Sequence, residues 1–246
     1  MPALLFRAYQ SLANKIIPGN RHSQVVFYEW LQQVVTPESS WLDLGCGRRI
    51  LPAWMDVDES VLVAQCRLAV GIDLDLSSLI SNRILRDRVL GNLEQAPFDS
   101  EVFDIVTANM VVEHLANPVD VLREIKRVLR PGGRFLFHTP NRKALPIGIA
   151  AHTPDLVKMG LVRLLEQRRS EDVFPTHYRM NVESDIQKMA QSAGFQVERI
   201  AHVNSSAITA ALGPLALPEL LYLRALQSER LSALRSNLLV VLTSRS

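Results

Sequence analysis

The stretch Trp41-Leu42-Asp43-Leu44-Gly45-Cys46-Gly47-Arg48 decides the fold. Apolar residues alternate through Asp43, two glycines follow one residue apart, and then a basic and apolar run reads as helix. In order these are a buried strand, a tight turn and a helix start, the opening of a βαβ unit. Lacking a Cβ, Gly45 and Gly47 let the chain turn sharply and let a ligand approach the main chain. A helix starting directly after the turn would aim its free N–H groups at that ligand.

A lone pair of glycines also marks ordinary turns, so the segments beyond it carry the weight. Val70-Gly71-Ile72-Asp73-Leu74-Asp75 is a second short strand ending in acid, about thirty residues after Asp43. In nucleoside-binding α/β folds an acid there takes the ribose hydroxyls. Gly91-Asn92-Leu93-Glu94-Gln95-Ala96-Pro97-Phe98 closes a third strand, and Phe103–Met110 reads as a fourth. Leu129-Arg130-Pro131-Gly132-Gly133-Arg134 ends a helix over Val119–Leu129 and leads into a fifth strand, Arg134–His138. The nicotinamide fingerprint G-x-G-x-x-G fails because position 50 is Ile, and the phosphate-loop pattern fails for want of G-K-[ST].

These segments, in this order and spacing, resemble the class I S-adenosylmethionine-dependent methyltransferases, strongly over residues 40–140 and weakly in the C-terminal strands. The resemblance implies an α/β, doubly wound, Rossmann-like sheet of about seven strands, mostly parallel with an antiparallel last strand, plus helical insertions. It implies an enzyme with S-adenosylmethionine as cofactor and S-adenosylhomocysteine as product. Carried over by position, the cofactor-binding residues are Asp43, Gly45, Cys46, Gly47, Asp73, Leu74, Asn92, Leu93 and Asn109. Many relatives have Asp where Asn92 stands; Asn keeps an acceptor oxygen for the adenine amino group, and the competing role is a turn cap. Arg49 stands where the family often has a third glycine. The helix after the turn is expected to be interrupted, with Pro52 near its start and Asp56–Ser60 as a polar break before Val61–Leu68.

The composition sets the frame. With 246 residues and 48% hydrophobic content the chain fits one domain with a large core, residues 1–246. Its expected parts are N-terminal helices over 1–40, a cofactor core over 41–139, a lid-like insertion over 140–179, and a C-terminal part over 180–246 with a helical insertion at about 205–234. Scattered basic residues and a net charge of +2 argue against a nucleic-acid surface. Cys46 and Cys66 lack metal-type spacing, so no metal is expected, and Cys46 reads as packing rather than a nucleophile. No apolar run approaches the ~20 residues that span a bilayer, and the start lacks a signal-peptide layout, so a soluble, cytoplasmic chain is expected.

Helices are expected at Met1–Ile17, Ser23–Val35, Leu76–Arg86 and Asn181–Ala193, the last opened by an Asn181 cap and stopped by Gly194. Phe195–Val203 and Leu238–Thr243 read as the last strands. After the fifth strand Ala144–Ile149 and Leu156–Glu166 read as helical lid material, and Phe174-Pro175-Thr176-His177-Tyr178-Arg179 gathers aromatic, imidazole and guanidinium groups. His177 is the candidate general base, with His138 and His152 as other available bases. His114, His138, Asn141, Tyr178 and Arg179 are candidates for the acceptor side. The expected acceptor is a small molecule or a lipid- or glycan-linked group, with O-methylation favoured. C- or N-methylation, or a regulatory protein that binds the cofactor without turnover, stay as alternatives. The apolar run Leu212–Leu231 is expected to pack on the core or on a second copy of the chain; its alternative is a cover for an apolar acceptor, with peripheral membrane contact left open.

Overall fold

Strand-forming apolar runs and amphipathic helices alternate along the chain, and the strands meet in one sheet. The computed structural model describes residues 3–145, 175–205 and 216–245. Their strands are β1 (Ser40–Leu44), β2 (Leu68–Asp73), β3 (Asp87–Leu90), β4 (Phe103–Asn109), β5 (Leu129–Pro140), β6 (Phe195–Val203) and β7 (Asn237–Ser244). The spatial order is β3-β2-β1-β4-β5-β7-β6, with β3-β2-β1-β4-β5 all parallel. β7 runs against its neighbours: the Asn141 N–H after β5 meets the Ser236 carbonyl before β7, and the Arg245 N–H after β7 meets the Gly194 carbonyl before β6. The expected doubly wound sheet of seven strands with an antiparallel last strand is therefore present. The order reverses between β1 and β4, which opens a crevice at the carboxyl ends of those strands.

The helices are α1 (Ala3–Ile16), α2 (Ser23–Val34), α3 (Glu59–Gln65), α4 (Leu76–Ser81), α5 (Pro118–Val128), α6 (Glu183–Ser192) and α7 (Leu217–Ala225). In α5, Val121, Leu122, Ile125 and Val128 return at helical spacing and are all buried. Pro118 opens that helix, with Asp120 in its first turn and Lys126 and Arg127 in its last. Internal contacts divide the chain into two compact units. One comprises residues 24–140, 176–201 and 238–246; its core joins Leu42, Ile72, Val106, Phe135 and Val240 of the sheet to Leu122 and Ile186 of the helices. The other comprises 1–23, 141–175 and 202–237, where Tyr9, Ala13 and Ile17 pack with Ala216, Leu220 and Leu223. Among the described residues no helix is long and apolar enough to cross a membrane.

Four sequence expectations need correction. No helix follows the glycine turn directly; after a short 3-10 turn at Ala53–Met55, α3 begins at Glu59, where Asp58 caps it by accepting from the Ser60 N–H. α4 stops at Ser81 and does not reach Arg86, because the Asn82 side chain accepts from the N–H groups of Ile84 and Leu85 and so competes with the helix. Arg130–Gly133 lies inside β5. Phe103 pairs with Leu129 and Ile105 with Arg134, so these residues bulge out of the ladder, with Gly132 at φ +76°. Asn181 does not cap α6, whose N-cap is Val182 without a side-chain bond. The Asn181 amide donates instead to Thr139 Oγ1 and the Pro140 carbonyl. The lid segments Ala144–Ile149 (beyond Leu145) and Leu156–Glu166, with His152, lie outside the described residues, as do Leu212 and Leu215.

Candidate active site

The glycine turn sits where β1 leaves the sheet. Gly45 has φ +60°, and a Cβ there would meet Val111 Cγ2 at 2.5 Å. Its N–H donates to the Ile72 carbonyl of β2 at 2.8 Å. Gly47 has φ +47°, and a Cβ there would meet nothing closer than the Gly45 carbonyl at 4.0 Å, so its main chain faces open space. The Gly47 N–H donates to Asp73 Oδ2 at 2.8 Å, while Asp73 Oδ1 accepts from the Asp75 N–H at 2.8 Å. Each carboxylate oxygen thus keeps a lone pair for a further donor. Beside Asp73, Leu74 is 60% exposed, and Leu90, which pairs with Asp73 across the ladder, is 54% exposed. Asn92 is exposed and its Oδ1 accepts from the Glu94 N–H at 3.0 Å, so the turn-cap geometry is present; Leu93 is half-buried and packs against the core.

Cys46 is buried against Gly71, where a Cβ would lie 2.5 Å from its sulfur. Burial, then the carboxylates of Asp43 and Asp73, push its thiol well above the usual range, in line with packing and not nucleophilic work. Asp43 is buried; its Oδ1 accepts from Thr107 Oγ1 at 2.5 Å, and Thr107 in turn accepts from Trp41 Nε1 at 2.7 Å. Burial pushes the Asp43 carboxyl up to about 7, against the Thr107 hydrogen bond and with help from Glu59 and Asp73.

Asn109, at the end of β4, is held by internal bonds. Its Nδ2 donates to Gln24 Oε1 and the Ile50 carbonyl, both at 2.9 Å; its Oδ1 accepts from Gln24 Nε2 at 3.1 Å and faces His138 Nδ1 at 2.9 Å. His138 is 1% exposed and stacks on Phe27. Asn141 is equally buried, donating to the carbonyls of Ala233 and Arg235 and accepting from the Lys143 N–H. His177 and Arg179 are exposed, and His114 and Tyr178 are half-buried, with Tyr178 at φ +50°. The His177 loop is pinned by its backbone: the N–H groups of His177 and Tyr178 both donate to the Glu113 carbonyl, at 2.8 and 3.1 Å. Under it, Glu113 Oε2 accepts from Thr139 Oγ1 at 3.1 Å, and burial pushes the Glu113 carboxyl up to about 7.

Four positions here escaped the sequence reading. Asn82, fully buried, donates to the Gly47 carbonyl at 3.0 Å and holds the glycine turn from below. Glu59, inside a stretch that reads as a polar break, is buried and accepts from the Leu51 N–H at 2.9 Å. Thr107 is a polar residue within an apolar strand, a signal that could have found it. Gln24 has no signal in sequence, because its partner is 85 residues away. A separate cleft lined by Thr36, Ser39, Asp104 and Arg130 lies at the amino ends of β1 and β4, the end opposite the glycine turn.

The open main chain at Gly47, the two carboxylate lone-pair directions of Asp73 and the exposed Leu74 and Leu90 all lie at the carboxyl ends of β1, β2 and β3. A family profile described as a methyltransferase domain matches residues 5–200. The chain is 28% identical over 160 residues to a "probable S-adenosylmethionine-dependent methyltransferase" of Mycolicibacterium smegmatis, covering 64% of this chain and 52% of that one. It is 26% identical over 185 residues to the ubiquinone biosynthesis O-methyltransferase of Photobacterium profundum, covering 65% and 75%. It is 34% identical over 115 residues to the malonyl-[acyl-carrier protein] O-methyltransferase of Salmonella typhimurium, covering 44% and 41%. The chain spans about half the length of the first of these relatives. An S-adenosylmethionine-dependent methyltransferase structure from Mesorhizobium loti shares the fold, with a TM-score of 0.56 at 16% identity over 88% of this chain and 96% of that one. The chain belongs to the methyltransferase-domain family, as a class I S-adenosylmethionine-dependent member. Its cofactor is accordingly S-adenosylmethionine.

Proposed function

We propose that the chain transfers the methyl group of S-adenosylmethionine to a hydroxyl of a small-molecule or lipid- or glycan-linked acceptor. The observation that carries this reading is the Gly47 N–H on Asp73 Oδ2 at the crevice, which leaves a shaped carboxylate beside open main chain. When bound, the cofactor supplies a methyl carbon already activated by a sulfonium. The chain's part is then alignment, which in well-oriented systems supplies ~7–11 kcal/mol. In this proposal Gly45, Cys46 and Gly47 offer backbone, Asp73 takes the ribose hydroxyls, and Leu74, Asn92 and Leu93 border the adenine. Asp43 and Asn109, whose side chains are committed to Thr107 and Gln24, hold the strand ends from behind.

The acceptor hydroxyl must lose its proton as the new carbon–oxygen bond forms. Exposed His177 is assigned that proton, with Tyr178, Arg179 and His114 as its surroundings and buried His138 behind them. Two relatives named as O-methyltransferases lend support to oxygen as the target atom. A cytoplasmic location and one catalytic domain over 1–246 belong to the same proposal. Incubating the purified protein with methyl-labelled S-adenosylmethionine and small-molecule and lipid extracts should yield a labelled product whose label is retained as an ether or ester. Label only on nitrogen or carbon would contradict O-methylation, and cofactor binding without transfer into any extract would favour the regulatory alternative.

A further inference from the structure

We propose that Glu59 receives the ammonium of the cofactor's amino-acid end, an inference that rests on the methyltransferase reading. A helix starting at the glycine turn would present a positive end, which favours anions. Here that helix starts at Glu59 instead, and the loop Arg49–Leu51 closes on a carboxylate. Glu59 Oε1 accepts from the Leu51 N–H at 2.9 Å and from Arg49 Nε at 3.3 Å. The side chain is 2% exposed, and Oε2 is buried with no hydrogen-bond partner. Buried polar atoms in folded proteins are satisfied as a rule, so such an oxygen marks a place for a donor.

The surroundings give the sign of that donor. The neighbouring Ile50 carbonyl is tied to Asn109 at the end of β4, so the loop lies over the crevice. Glu59 and Asp73 are each close enough to Asp43 for their negative charge to raise its carboxyl, so acidic groups crowd this part of the chain. Arg49 is the cation paired with Glu59, and it reaches Oε1 only. A carboxylate arriving here would be repelled. A sulfonium carries charge but no hydrogen to donate. An ammonium carries both charge and three N–H donors, and so satisfies the oxygen and the field together.

The test is calorimetric titration of the wild type and Glu59→Gln with S-adenosylhomocysteine and with its desamino analogue, in which hydrogen replaces the amino group. The wild type should prefer S-adenosylhomocysteine by about tenfold or more, the range of a charge-assisted bond. Glu59→Gln should bring the two ligands within roughly twofold by weakening S-adenosylhomocysteine alone. Equal weakening of both ligands would overturn the proposal, since Glu59 would then only brace the loop. If Glu59→Gln does not fold, the wild-type pair decides: near-equal affinities overturn the proposal, and clear preference for the amino ligand upholds it. A wild type that binds neither ligand overturns the methyltransferase reading as well.

Discussion

At Asn82 one buried amide serves two structures at once. Its NH2 holds the Gly47 carbonyl while its oxygen ends α4 through Ile84 and Leu85. Asn82→Ala would strand several buried backbone groups at roughly 1–3 kcal/mol each. We expect a lower melting temperature together with weaker cofactor binding, and a fall in melting temperature with unchanged binding would separate the turn from this support. Two buried carboxyls set a pH dependence. Asp43 is raised from 3.8 and Glu113 from 4.5, both to about 7, by burial. Between pH 4 and 7 the unfolded chain therefore ionises these groups while the folded chain keeps their protons, so stability is lost as pH rises. The loss is on the order of a few kcal/mol per group, larger for Asp43, and levels off above about pH 7. Calorimetric melting should give a lower midpoint at pH 8 than at pH 5, and Glu113→Gln should shrink that difference. None of these roles is legible in sequence, because a buried carboxyl and a surface one are spelled alike; Asp73 was legible because its place after a strand and its distance from the glycine turn are local.

The elements were readable where periodicity spoke, and they departed where side chains competed with the backbone. β6 has the expected bounds, and α5 lies within a residue of them. The helix expected after Gly47 is displaced to Glu59, since Pro52 and the Asp58 cap favour a late start. Asn181 has the right residue type for a cap, yet a long-range partner, Thr139, claims its amide. The apolar C-terminal run was expected on the core or on a second copy, and its described part meets α1: Leu220, fully buried, lies in one cluster with Tyr9, Ala13 and Ile17. Leu220→Ala should therefore cost roughly 2–5 kcal/mol in chemical denaturation. A change under about 1 kcal/mol would mean that this cluster contributes little to folding.

For the molecule as a whole, the strand order follows from a few local segments because parallel strands joined by helices admit few arrangements. The glycine turn, the acid at the end of β2 and the β4 terminus all fall at the carboxyl ends of strands, so the fold was legible together with the crevice where the cofactor is proposed to bind. The acceptor side was less so. Its candidate His138 is buried under α2, and Asn141 is spent on the Ala233 and Arg235 carbonyls, pairings set by residues far apart in sequence. The central claim is that the crevice beside Gly47 and Asp73 holds the cofactor. Titration calorimetry with S-adenosylhomocysteine on the wild type and on folded Asp73→Ala tests it most directly. The account predicts one site in the wild type and a loss of roughly 1.5–3 kcal/mol in the variant, about 10- to 150-fold in affinity. No binding by the wild type, or equal affinity in the two proteins, would contradict it.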